Sequence, residues 1–393
     1  MLSNTPTSER IHIAIFGKIN AGKSSVFNAI TNQNISIVSD ISGTTTDPVK
    51  KTMEILPLGP VIIYDTAGID DNSNLGEERY KKTLEVLNKT DIALFVTDIN
   101  KPLEKSETEF IEKIKSKNIP YLIIYNKSDN NKSEKTGNEI EISTYTGKNI
   151  TLLKDKISKL KVQNQKFIIS DRLNEFDTVL LVIPIDESAP KGRLILPQQL
   201  VLRELLDKKC TVICIQPENL KETLNNLKNP PKLIITDSQA FGTIKDIVPA
   251  EIMLTSFSIL FANYKGDLKT LINGAKQILN LKNNDTVLIS EGCTHHRQCN
   301  DIGTVKIPNL VKKFTGKDIN FEFTQGGEFP ENIEKYSLVI HCGACMLNEQ
   351  EMKSRLEKIT SKNISVVNYG ILISFINGIL SRAVEIFPEI TID

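Results

Sequence analysis

Two groups of residues have types and spacings that can do chemistry. Gly17-Lys18-Ile19-Asn20-Ala21-Gly22-Lys23-Ser24 fits the pattern G-x-x-x-x-G-K-[ST], and Cys293, Cys342 and Cys345 stand far downstream among polar neighbours. In the first group the glycines let backbone N–H groups curl around phosphates, and the helix that follows adds positive potential. Lys23 would reach the β- and γ-phosphates, and the Ser24 hydroxyl would ligate Mg²⁺. In the second group, thiolates suit zinc, copper(I) or an iron–sulfur cluster.

Further motifs complete a guanine-nucleotide site. Asp65-Thr66-Ala67-Gly68 ends an apolar run, where Asp65 can hold Mg²⁺ and Gly68 can sense the γ-phosphate. Gly43-Thr44-Thr45-Thr46-Asp47 suits a switch loop, with Thr44 beside the phosphates and Thr45 completing the Mg²⁺ shell. Asn126-Lys127-Ser128-Asp129 follows another apolar run, and Asp129 can accept two N–H bonds from guanine that adenine does not offer. Ser143 and Thr144, with Gly147, close the base pocket, and Ser25 extends the phosphate contacts. The catalytic set is expected to be Lys23, Asn20 and Gly68. Ile69 stands where Ras-type GTPases place a water-orienting glutamine, so intrinsic hydrolysis should be slow unless another group assists. Glu77 and Glu78 follow the second switch, either as water-orienting groups or as solvated helix-start carboxylates.

The cysteine group allows more than one reading. Cys293-Thr294-His295-His296 follows the run TVLIS, and His341-Cys342-Gly343-Ala344-Cys345 follows SLVI. If those runs are parallel neighbouring strands, their loops open on one edge and three thiolates converge there. Cys299 would make a closed four-thiolate zinc site, whereas three cysteines leave a labile fourth position on iron. Candidate fourth ligands are His295, His296, Cys299, His341 and Glu291. Three of the four histidines crowd these loops, while His12, at the start of the first strand, reads as structural. Cys210 and Cys214, in the apolar run CTVICI, read as small core residues.

Such sites need strands to carry them. Residues 11 to about 160 alternate β-branched runs with helical stretches, the pattern of a parallel α/β sheet. Strands are predicted at Ile11–Phe16, Val61–Tyr64, Ile92–Val96 and Tyr121–Tyr125. Lys161–Arg172 is polar and reads as a linker. A second α/β segment carries VLLVIPI, TVICIQ and KLIITD. A third carries a helix over GDLKTLINGAKQILN, the strands TVLIS, INFEF and SLVIH, and a last helix around Ile371–Leu380. The expected division is 8–165, a P-loop domain; 172–262, a dimerisation domain; and 263–393, a cluster-binding domain. The fold class is α/β throughout.

Lys plus Arg and Asp plus Glu both count 48, so no basic excess points to nucleic acid. Nothing in the composition points to a membrane, and a cytoplasmic protein is expected. No C-x-x-x-C-x-x-C of the radical-SAM type is present.

The combination of N-A-G-K-S-S with G-T-T resembles the TrmE–Era class of GTPases, whose cation-dependent members bind K⁺ through the asparagine found here at Asn20. Over essentially its whole length the chain resembles the HydF family of [FeFe]-hydrogenase maturation GTPases. The C-terminal signature C-x-H, a long gap and H-C-x-x-C stands here as Cys293-Thr294-His295 and His341 to Cys345. Cys299 is a thiol that signature does not require. The resemblance implies GTP, Mg²⁺ and K⁺ at the first site and a [4Fe–4S] cluster at the second. It also implies a homodimer formed by the middle segment, fitting the apolar strands around Val182 and Ile213. Its implied partners are the radical-SAM maturases HydE and HydG and the apo-hydrogenase HydA, to which a diiron precursor is delivered. The alternative is a TrmE/Era-like tRNA-modification or ribosome-assembly GTPase with structural zinc, which would call for an RNA-binding surface or appendage.

Overall fold

Short runs rich in β-branched residues build three sheets, each with its loops carried at the strand ends. The computed structural model describes residues 5–31, 48–70, 76–129, 135–160, 166–185, 194–292, 301–326, 329–330 and 332–391. It divides into two compact units, Met1–Gln165 and Lys166–Asp393.

In the first unit, β1 (Ile11–Gly17), β2 (Val49–Ile55), β3 (Gly59–Asp65), β4 (Ile92–Asp98), β5 (Tyr121–Asn126) and β6 (Glu139–Glu141) form one sheet of order β2-β3-β1-β4-β5-β6. All neighbours run parallel except β2 and β3. The four predicted strands are present, each extended by one to three residues. The hairpin strand β2 was not foreseen, because VKKTMEI alternates half-buried and exposed positions and carries three charges. Helices α1 (Lys23–Thr31), α2 (Gly76–Leu87), α3 (Lys105–Ser116) and α4 (Ile150–Lys159) complete the unit. The central strands are buried on both faces. Ile13 and Ile15 join the cluster on one side, and Ala14 and Phe16 the cluster on the other. That two-sided burial explains why these strands read as continuous apolar runs.

The second unit holds two sheets. β7 (Thr178–Val182), β8 (Thr211–Ile215), β9 (Leu233–Thr236) and β10 (Met253–Ser256) are ordered β10-β9-β7-β8. β11 (Thr286–Glu291), β12 (Asn320–Gln325), β13 (Leu338–His341) and β14 (Val366–Asn368) are ordered β12-β11-β13-β14. Both are all-parallel, and both have the same topology: the first strand lies between the second and the third, with the fourth outside the third. This repetition is invisible in the sequence, where no internal similarity shows. Around the sheets pack α5 (Leu196–Asp207), α6 (Leu220–Asn226), α7 (Phe241–Ile244), α8 (Phe257–Lys265), α9 (Leu268–Ala275), α10 (Ile307–Thr315), α11 (Glu349–Thr360), α12 (Tyr369–Ile376) and α13 (Leu380–Ala383). One apolar cluster runs from Ile168 to Phe387 and takes residues from both sheets. Helix α8 spans positions 262 and 263, where the second and third segments were divided.

Three expectations need correction here. Residues 166–172 are not a free linker: Ile168 and Ile169 are buried, and the Glu204 carboxylate accepts N–H bonds from Ile168 (2.9 Å), Ile169 (2.9 Å) and Ser170 (2.7 Å). Cys214 is exposed rather than a core residue, because β8 is an edge strand with one face open, although Cys210 is buried. The last predicted helix is two, α12 and α13, parted by Gly378 in the left-handed region. Among the described residues no helix is long and apolar enough to cross a membrane.

His12 is structural, as expected. It is 3% exposed, with Nε2 against Thr7 O (2.9 Å) and Nδ1 against the Tyr64 hydroxyl (3.2 Å). Burial is the main cause that lowers its pKa from 6.5 to about 4. A base with a depressed folded-state pKa stays neutral while the unfolded chain takes up the proton. Stability therefore falls as pH drops from about 6.5 towards 4. Urea unfolding of the first unit should lose about 2 kcal/mol between pH 7 and pH 5 through this residue. His12→Gln should flatten that slope, and an unchanged slope would remove His12 as its source.

Candidate functional sites at the strand ends

The phosphate-type loop follows β1 and leads directly into α1. Gly17 (φ +146°) and Gly22 (φ +96°) adopt backbone conformations that L side chains rarely take. A Cβ on Gly17 would collide with the Val96 carbonyl, and one on Gly22 with the Asn126 side-chain amide. Asn20 sits at φ +60°, the left-handed region that asparagine tolerates better than most residues. Ala21 is buried, while Ser25 is exposed on the first turn of α1. Lys23 is 8% exposed, and its Nζ donates to the Lys18 carbonyl at 2.8 Å, so the ammonium is held at the loop.

Residues distant in sequence meet here. The Ser24 hydroxyl donates to Asp65 Oδ2 at 2.6 Å, although 41 positions separate them. Burial pushes the Asp65 carboxyl up, against the opposing influence of Ser24 and Lys23. Its Oδ1 is buried without a hydrogen-bond partner. A buried orphan carboxylate oxygen beside a hydroxyl, at the mouth of an N–H-lined loop, fits a hard divalent cation. Gly68 is confined by close approach too, since a Cβ would strike Ile19. Ile69 donates its N–H to Gly17 O at 3.2 Å and packs its side chain against the apolar cluster, so its carbon chain orients no water.

The base-side motif follows β5. Asn126 is 1% exposed; its Nδ2 donates to Ala21 O (3.4 Å), and its Oδ1 accepts from Thr144 N (3.2 Å) and Thr144 Oγ1 (3.3 Å). It thus ties the phosphate loop to the Ser143–Gly147 turn. The Ser143 hydroxyl donates to Asp129, and Lys127 (φ +66°) pairs with Asp98 at 2.8 Å. The sequence reading missed Lys18, whose ammonium pairs with Asp70 (3.4 Å) and Glu104 (2.6 Å), and Asp70, which also accepts from Ile19 N at 2.8 Å. Glu77 and Glu78 are exposed in the first turn of α2, the solvated-carboxylate reading. Thr44 and Thr45 lie outside the described residues.

In the second unit, β11 and β13 are parallel neighbours with Ser290 opposite His341. The strand ends therefore meet: Cys342 N donates to Ser290 O at 2.9 Å, and Cys342 Sγ accepts from Gly292 N (3.1 Å) and Ala344 N (3.4 Å). Ala344 curls the loop through φ +53°. Burial pushes the Cys342 thiol up to about 11, opposed by those two N–H bonds, and burial also raises Cys345. Metal ligation would offset that penalty, because it stabilises the thiolate. The chain turns from Glu291 and Gly292 towards Cys293, but Cys293, His295, His296 and Cys299 lie outside the described residues. Among the described residues no three metal-ligating side chains cluster.

Of the remaining fourth-ligand candidates, His341 is engaged at both ring nitrogens and Glu291 at one carboxylate oxygen. His341 is fully buried; its Nε2 lies 3.3 Å from Arg355 Nη1 and its Nδ1 2.9 Å from Cys342 O. A guanidinium only donates, so Nε2 accepts and Nδ1 carries the proton to the carbonyl. Burial, with Arg355 beside it, holds this imidazole down at about 3. With both nitrogens engaged, His341 shapes the loop rather than presenting a lone pair to a metal. Glu291 is 4% exposed and accepts from the Tyr369 hydroxyl at 3.3 Å. Lys265 and Arg355, both buried beside this loop, carried no signal in the sequence, where each reads as an ordinary cation of a helical stretch.

Comparison with known families decides what this pairing of sites belongs to. Residues 168–266 match the hydrogen maturase F dimerization domain, and residues 269–386 match the hydrogen maturase F tetramerization domain. The chain belongs to the hydrogen maturase F (HydF) family. Residues 12–127 match a GTPase family described as 50S ribosome-binding GTPase, so a P-loop GTPase domain precedes the two HydF domains. The middle segment was expected to dimerise, and the HydF family names it so. The last segment, read from its cysteines as cluster-binding, is named in the family for tetramerisation.

Relatives outside HydF are similar over part of the chain. The tRNA modification GTPase MnmE of Endomicrobium trichonymphae is 37% identical over 166 residues, covering 38% of this chain and 35% of that protein. GTPase Der of Wolinella succinogenes is 33% identical over 183 residues, covering 42% and 39%. The chain thus spans little more than a third of the length of these relatives. The structure of Era from Aquifex aeolicus aligns with a TM-score of 0.35 at 20% identity, covering 52% of this chain and 92% of that one.

The cradle itself can be tested. Gly22→Ala should weaken binding of a fluorescent guanine nucleotide at least tenfold without loss of secondary structure, because the new Cβ displaces Asn126. Wild-type affinity in that variant would show that the loop has room the geometry denies.

Proposed function

We propose that this HydF-family chain is a GTP-hydrolysing carrier that holds a [4Fe–4S] cluster through Cys293, Cys342 and Cys345. It receives a diiron precursor made by the radical-SAM maturases HydE and HydG and delivers it to the apo-hydrogenase HydA. The observation that carries this reading is the pairing, in one HydF-family chain, of a phosphate-binding loop with a half-buried Cys342–Cys345 loop beside the strand that leads to Cys293. Bound there, a cluster with one non-cysteine position would offer an open iron to a second metal complex.

On the nucleotide side, Gly17 to Ser25 would wrap the phosphates with backbone N–H groups. Lys23 would turn from the Lys18 carbonyl to the β- and γ-phosphates, while Ser24, Asp65 and Thr45 would hold Mg²⁺. Mg²⁺ there would neutralise charge developing on the phosphates. Asn126, Lys127, Asp129, Ser143 and Thr144 would hold guanine. Since Ile69 positions no water, we assign stimulation of hydrolysis to K⁺ held by Asn20. Hydrolysis in KCl should exceed that in NaCl several-fold, and Asn20→Ala should abolish the difference; equal rates in the two salts would exclude the assignment.

For assembly, β8 supports the dimer expectation. It is an edge strand without a charged residue, with Thr211 and Cys214 exposed, and such edges invite pairing with another chain. Val182 plays no part at that surface, being fully buried in β7. Cys214→Lys should reduce the assembly to a smaller species in light scattering, whereas an unchanged mass would place the interface elsewhere.

The metal reading is tested by anaerobic reconstitution with iron, sulfide and zinc analysis and EPR. Cys342→Ser with Cys345→Ser should abolish a reducible four-iron signal and leave GTP hydrolysis within twofold. Stoichiometric zinc in the wild type, without that signal, would overturn the reading and favour a closed site that includes Cys299.

A further inference from the structure

Lys265 ends α8, in the segment that matches the dimerization domain, yet its side chain serves a loop in the next one. It is 2% exposed. Its ammonium donates to Leu347 O at 2.9 Å and to Cys345 O at 3.4 Å, and it lies 5.6 Å from the centre of the Phe261 ring. A buried ammonium is costly unless dipoles or negative charge compensate it. The two carbonyls supply dipoles, and both belong to the stretch that carries the thiols.

We propose that Lys265 is the positioning residue of the cysteine loop: its ammonium fixes the carbonyls of Cys345 and Leu347 and sets a positive charge beside thiolates that bind an anionic metal group. The inference rests on the metal-carrying reading above and adds a residue to it. Arg355 does not duplicate this role. Its guanidinium is turned to His341, Gly326 O and Glu351. Removing the Lys265 charge should weaken metal binding and disfavour the more negative, reduced state of a bound cluster, moving its midpoint potential down.

Three variants of the full chain separate the effects. Lys265→Met keeps the stem without charge or donor, Lys265→Gln keeps a donor without charge, and Lys265→Arg keeps the charge. Two measurements apply to each: Cd²⁺ titration of the metal-free protein by sulfur-to-cadmium charge-transfer absorption, and the midpoint potential of the anaerobically reconstituted cluster. Lys265→Met should bind Cd²⁺ about tenfold more weakly, the size of one lost hydrogen bond to a charged group. Lys265→Gln should fall between it and the wild type, and Lys265→Arg should recover most of the affinity. The potential should shift negative in the Met and Gln variants and stay in place in Arg. If Lys265→Met does not fold, the Gln and Arg pair carries the same comparison. Wild-type affinity and potential in the neutral variants would overturn the proposal, as would unfolding of all three, which would make Lys265 a folding residue only. If the wild type forms no cluster but the neutral variants bind Cd²⁺ more weakly, the role of Lys265 stands and the iron–sulfur reading falls. A wild type that binds neither would overturn both.

Discussion

The second unit depends on the parallel pairing of β11 with β13. In parallel strands both chains leave the sheet at the same edge, so residues after Glu291 and after His341 must emerge side by side. The hydrogen bond from Cys342 N to Ser290 O continues that ladder by one residue beyond the strand, and the Gly292 N–H then lands on the Cys342 sulfur. A thiol so placed is held by backbone rather than by chance packing. The Gly292 N–H partner follows from that one constraint, and the Ala344 N–H adds a second, local one. In an antiparallel pair the same two segments would end at opposite edges, and no site could form.

The nucleotide site obeys the same geometry on a different sheet. Gly17 ends β1, Asp65 ends β3 and Asn126 ends β5, all parallel and all at the carboxyl edge. Ligand chemistry in α/β folds gathers at that edge because loops leave it together and helix starts face it. The second unit repeats the arrangement, since its two sheets have the same strand order. Only the later copy has placed cysteines at the switch point between its first and third strands. In the earlier copy, Thr236 and Asp237 occupy the corresponding end of β9, and the Thr236 hydroxyl closes onto Val182 O at 2.8 Å.

Charge organises the loop around the thiols although the whole chain is neutral. Two buried cations, Lys265 and Arg355, approach from α8 and α11 and bond to the loop's carbonyls and to His341. The Lys265 contact is far from local, as 82 residues separate it from Leu347, whereas 14 separate Arg355 from His341. The continuous apolar core between the two sheets holds α8 in place, which lets a residue from one family domain bond to a loop of the next.

Local chemistry made much of this legible in the sequence. Gly17 to Ser24, Asp65 to Gly68 and Asn126 to Asp129 announce a nucleotide site because each task demands a particular residue type at a short, fixed spacing, and the apolar runs before them announce the strands. Strand β2 and the split between α12 and α13 escaped, since a half-exposed hairpin strand and a left-handed Gly378 leave weak local patterns. Cys214 was misjudged because an apolar run does not say whether its strand lies at an edge. The sequence by itself determined the nucleotide-binding chemistry and the α/β class, through residue type and periodicity, and for the cysteines it gave only a pattern that soft metals suit. Only the tertiary structure decided that His341 is engaged at both nitrogens, that Glu291 faces Tyr369 and that Lys265 lies under Cys345. Those facts depend on which strands and helices become neighbours, and neighbours far apart in the chain are chosen by the packing of the whole core.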